Sequence, residues 1–155
     1  MKLKSLILPF LACLTLGLTV VPIQAHDHSK PTPKKIAGPN GGRILTGFEP
    51  RAEFFVTAER KVQITFLGED GKAVAPAEQV LTVTAGDRSA PTKLTFAKSG
   101  NVLLSDVALP AGGEVPTVVQ LKPTPEAKTM TEKFNVDLAI CSGCNHAEYA
   151  CTCGH

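Results

Sequence analysis

Lys61-Val62-Gln63-Ile64-Thr65-Phe66 alternates without a break, with Val62, Ile64 and Phe66 apolar and Lys61, Gln63 and Thr65 polar between them. A period of two puts the apolar side chains on one face of an extended chain, so this stretch reads as a half-buried β-strand. Downstream, Phe134, Val136, Leu138 and Ile140 alternate with Lys133, Asn135, Asp137 and Ala139 in the same way. Shorter runs of this kind are Ala52–Thr57, Gln79–Ala85, Thr92–Ala97, Asn101–Val107 and Thr117–Lys122. Turn-forming clusters separate them: Glu69-Asp70-Gly71, Gly86-Asp87, Ser99-Gly100 and Ala111-Gly112-Gly113. Gly38-Pro39-Asn40-Gly41-Gly42-Arg43 has the composition of a tight turn leading into the first strand, with a glycine at positive φ. It lacks the lysine and the strand–loop–helix setting of a phosphate loop.

No helical period follows residue 25. The pattern predicts an all-β chain, a single immunoglobulin-like β-sandwich or small barrel over residues 43–140. "Immunoglobulin-like" describes architecture only, since there is no tryptophan and the strand region holds no cysteine. Residues 123–131 form the expected connection into the last strand, and Ile140 is its expected final inward residue.

The two ends differ from this middle. Residues 1–25 have the build of a secretory signal peptide. Lys2 and Lys4 open it, Leu6 to Val21 is apolar, Pro22 breaks it, and Ile23-Gln24-Ala25 supplies the cleavage site. Two other readings stand beside that one: an uncleaved anchor, and a lipoprotein acceptor at Cys13. The expectation is a periplasmic or secreted protein with no stable membrane span after cleavage. Removing Lys2 and Lys4 leaves fourteen Lys and Arg against fourteen Asp and Glu. A neutral chain without a basic run gives no support to nucleic-acid binding. Residues 26–42 begin with HDHSKPTPKK, rich in proline and poor in apolar side chains, and read as a flexible arm.

The last fifteen residues, CSGCNHAEYACTCGH, hold Cys141, Cys144, His146, Cys151, Cys153 and His155. With His26 and His28 at the expected mature start, every thiol and imidazole after residue 25 lies at one end or the other. Sulfur and imidazole are the donors of zinc and copper. A C-x-x-C turn aims two thiolates at one centre, and Gly143 lets the backbone fold closely beneath it. The C-x-C pair suits a thiolate-rich site for zinc or copper(I), with His146 or His155 able to stand in for a sulfur. Export leaves a competing reading, a disulfide staple, with Cys144–Cys151 inside Cys141–Cys153 as one nested pairing. Thiol–disulfide redox chemistry at Cys141 and Cys144 is a third reading. It normally wants the C-x-x-C pair at a helix N-terminus, and here the pair follows a strand. Tyr149 and Glu148 are expected to pack and solvate around the staple. The tail as a whole is expected to add almost nothing to the core. At the other end, a chain starting His26-Asp27-His28 can wrap copper(II) or nickel(II) in four nitrogens.

Neither a catalytic triad nor a carboxylate pair can be drawn, which favours binding over catalysis. An exported β-domain with Asn40-Gly41-Gly42-Arg43 before its first strand resembles small periplasmic proteins that accompany heavy-metal efflux systems in Gram-negative bacteria. The His26-Asp27-His28 start is similar to that of periplasmic copper-resistance proteins, which have immunoglobulin-type barrels. The resemblance implies a metal carrier or buffer, with His26 as the carried-over ligand and an efflux or envelope protein as partner. That family's other ligands have no counterpart here, because the strand region has no histidine.

Overall fold

The computed structural model describes residues 35–153. The expected signal peptide, His26, His28 and His155 lie outside the described residues. The chain forms two antiparallel sheets packed as a sandwich, with no closed barrel. The first sheet runs β1 (Arg43–Leu45), β2 (Ala52–Val56), β3 (Lys61–Leu67), β8 (Val102–Ala108) and β7 (Phe96–Ser99), and β4 (Ala73–Val74) also pairs with β3. The second runs β10 (Met130–Asp137), β9 (Glu114–Lys122), β5 (Val80–Ala85) and β6 (Thr92–Leu94).

The decisive alternation behaves as read. Val62, Ile64 and Phe66 of β3 are fully buried, and Phe54 of β2 lies opposite Ile64. From the second sheet Val83, Leu94, Val119 and Leu121 complete the interior. An edge-on aromatic contact and a cation–π contact tie the sheets together near β10: Phe54 meets Phe134 at 5.2 Å, and the Arg43 guanidinium lies over the Phe134 ring, 4.7 Å from its centre.

Three expectations need correction. The run Thr92–Ala97 is two strands in different sheets, because the chain crosses over at Thr95. Asp106 fixes that corner by accepting from the Thr95 N–H at 2.9 Å and the Thr95 hydroxyl at 2.8 Å. These bonds hold the Asp106 carboxyl below its usual range. The last strand ends at Asp137, opposite Glu114 where β9 begins, so no ladder remains for Ile140, which is 66% exposed. The Gly38–Gly42 stretch, read as the end of an arm, closes tightly on Glu53.

That closure is a polar clasp. Glu53 faces away from the sandwich interior yet is fully buried. Its Oε1 accepts from the Asn40 N–H at 2.9 Å and the Gly42 N–H at 2.8 Å. Oε2 accepts from Asn40 Nδ2 at 2.7 Å, and the same amide reaches Thr65, the residue beside Glu53 on β3. A buried carboxylate is tolerable only with such donors. Gly41 takes φ 83°, as expected of this turn.

Candidate metal centre

Beyond Asp137 the chain leaves the sheet and folds back as a small hairpin. Ile140 bridges to Ala147, the Cys141 N–H donates to the His146 carbonyl at 2.8 Å, and the Asn145 N–H donates to the Cys141 carbonyl at 2.9 Å. Asn145 closes the loop at φ 60°, a left-handed conformation that asparagine adopts more readily than most side chains. A 3-10 turn, Glu148–Ala150, then redirects the chain so that Cys151 and Cys153 return beneath the hairpin.

The result brings four sulfurs to one place. The Sγ atoms of Cys141, Cys144, Cys151 and Cys153 all lie within 4.8 Å of one another. Cys141 to Cys151 is 3.4 Å, Cys144 to Cys151 3.7 Å, and Cys141 to Cys153 3.9 Å. A disulfide holds its sulfurs at about 2.0 Å, so none of these contacts is one. Four thiolates at about 2.3 Å from a tetrahedral zinc stand about 3.8 Å apart, close to these three separations of 3.4–3.9 Å. Cys151 also touches both halves of the nested pairing, so the cluster is one group of four rather than two pairs.

The surrounding backbone shapes the charge. Cys144 is half-exposed, and its thiol is pulled down to about 5, chiefly by the backbone N–H of His146 and then that of Thr152. It is a thiolate at neutral pH. Burial, followed by hydrogen bonding to Cys141, pushes Cys151 up to about 12. Cys153 is also raised, first by its bond with Cys144 and then by burial. The Cys153 N–H donates to Cys151 Sγ at 3.3 Å, a local contact that the one-residue spacing makes possible. Gly143 is required for the approach: a Cβ there would stand 2.8 Å from Cys153 Sγ.

His146 is not brought into the cluster. Its ring lies over the Glu53 clasp, 3.5 Å from where a Cβ on Gly41 would stand, while its backbone N–H serves Cys144. The residue contributes through its main chain because Asn145 turns the backbone, and not the imidazole, toward the sulfur.

Tyr149 corrects the sequence reading further. It is buried with Ala150 in the hydrophobic core, its ring edge-on to Phe54 at 5.9 Å, and its hydroxyl accepts from the Val56 N–H at 3.0 Å. With Cys141 and Cys151 also buried, the segment adds real interior surface. Burial holds the Tyr149 phenol above its usual range. Sequence reasoning placed Tyr149 around the staple rather than in the core and gave Glu53 no role, although each carries a mark: the one tyrosine of the chain sits between cysteines, and Glu53 is an acid in a short apolar strand. No protein-family model, curated protein or solved structure matches this chain.

Proposed function

We propose that this chain is a metal-binding protein that takes one zinc or copper(I) ion between Cys141, Cys144, Cys151 and Cys153, serving as an exported carrier or buffer. The observation that carries the reading is the mutual approach of four sulfurs to the spacing of a tetrahedral thiolate site. Soft donors without oxygen favour zinc and copper(I) over magnesium or calcium. Two ligands are buried and two half-exposed, which suits an ion that is held firmly yet can be reached from one side. The protein acts by binding, and its partners are the ion and an efflux or envelope protein that supplies or receives it.

Export rests on the composition of residues 1–25, and the periplasmic setting rests on that segment together with the resemblance to efflux-associated proteins. Among the described residues no helix is long and apolar enough to cross a membrane. His26 and His28 would form a separate copper(II) or nickel(II) chelate if cleavage follows Ala25. Changing Cys141 and Cys144 together to serine tests the central site. Tight zinc or copper(I) binding should be lost, by about a thousandfold or more, because two of four charged ligands disappear. Retained affinity would place the ion elsewhere and end the proposal.

A further inference from the structure

Tyr149 sits within the metal segment, five residues after Cys144 and two before Cys151, yet its side chain belongs to the sandwich. The place it occupies is left open by the sheet. β1 pairs with β2 only at Ala52, Glu53 and Phe54, so the Val56 N–H lies past the end of β1. The Tyr149 hydroxyl accepts that N–H, and the ring meets Phe54, which in turn meets Phe134 of the opposite sheet. Tyr149 also forms part of the wall of two clefts, of about 540 and 640 Å3, on either side of the hairpin. One side chain thus completes the edge of the first sheet, the aromatic contact between sheets and both cleft walls.

We propose that loading the four-cysteine site and seating Tyr149 are one coupled equilibrium, so that the hairpin is a latch closed by the metal. The proposal rests on the reading of the four cysteines as a metal site. The segment meets the rest of the chain through the Glu148 N–H to the Ala139 carbonyl at 2.8 Å and through the burial of Cys141, Tyr149, Ala150 and Cys151. Ordering thirteen residues costs conformational entropy, and an ion that draws the four sulfurs together offsets part of that cost and so favours the seated state. When the ion leaves, Tyr149 swings out, uncovering Phe54 and the Val56 N–H. The protein then presents a different surface with and without its cargo, as a carrier needs if its partners are to tell the two states apart. Coupling is reciprocal, so whatever weakens the tyrosine seat weakens metal affinity by the same factor.

The composition offers a direct readout, because the chain has one tyrosine and no tryptophan. The full chain, reduced and stripped of metal, is titrated with cobalt(II). The thiolate-to-cobalt absorption reports ligation, and acrylamide quenching of tyrosine fluorescence reports the seat. Expected is a severalfold fall in quenching that follows the absorption to the same end point and reverses with chelator. Absorption that rises while quenching stays constant would overturn the latch and leave the metal site standing. Absence of the absorption would overturn both. In a second arm, Tyr149→Phe keeps the ring and removes only the bond to Val56. Cobalt affinity should fall about tenfold, and an unchanged affinity would count against the coupling even if the wild-type signals move together.

Discussion

Two irregular segments close over β2, one before β1 and one after β10, and they are finished by different means. The Gly38–Gly42 turn gathers three N–H groups around the Glu53 carboxylate, so donors and acceptor satisfy one another within the chain. The hairpin from Ile140 to Cys153 gathers four sulfurs, which are like groups, with backbone N–H groups donating to Cys144 and Cys151. The first clasp is electrostatically complete. The second, in the function proposed above, is completed by a cation. Neither segment has the alternating pattern of the strands, yet both contribute to the same patch: the His146 ring of one lies over Gly41 of the other.

The largest effect should come from deleting the second segment. Truncation after Ile140 removes Tyr149, Ala150 and Cys141 from the interior and strips the Val56 N–H of its acceptor. Measured against the metal-loaded full chain, the loss should be about 3–5 kcal/mol, seen as a fall of roughly 10–20 °C in melting temperature. A melting curve within a few degrees of the full chain would mean the segment lies on the surface of the fold. Next comes the other clasp. Glu53→Ala leaves the Asn40 and Gly42 N–H groups buried without their acceptor and should cost about 2–4 kcal/mol. Metal stoichiometry should stay unchanged, since Glu53 is not among the residues that cluster with the four sulfurs. Loss of metal binding together with stability would show that the two clasps are one unit.

The pH dependence of metal uptake follows from the thiols. Cys144, at about 5, carries no proton at neutral pH, whereas Cys151, at about 12, and Cys153, also raised, do. Uptake should therefore release at least two protons, and affinity should rise about 100-fold per pH unit near neutrality. Below about 5 the Cys144 proton joins the competition and binding weakens more steeply. Proton release measured in weak buffer checks this, and a pH-independent affinity between pH 6 and 8 would contradict it. The smallest effect is expected for Gly143→Ala. Its Cβ would crowd Cys153 Sγ, so metal affinity should fall about tenfold with the melting temperature of the metal-free protein unchanged.

How far the sequence could be read depended on length and on partnership. β3 and β9 are long, and each presents one face to the interior, so period two is visible in them. β1 and β4 have three and two residues, too few for any period. Thr92 to Ala97 alternates as one strand would, and only the Asp106 bonds at Thr95 reveal the crossing between sheets. Ile140 continues the alternation of β10, but its partner strand has already ended, and an apolar residue without a ladder turns to solvent. In the site, cysteine spacing was enough to anticipate that the four sulfurs would converge, because two close pairs on one short segment can reach a common point. His146 misled because its main chain, not its ring, does the work. Tyr149 escaped because a lone aromatic has no period, and its burial is decided by the gap that β1 leaves on β2.

The most direct test is metal content measured beside thiol titration on the protein isolated without added reductant. One zinc or copper ion per chain is expected, with four thiols shielded from reagent until a chelator is added. Four oxidised cysteines and no bound metal would contradict the metal centre and establish a disulfide-stapled hairpin in its place.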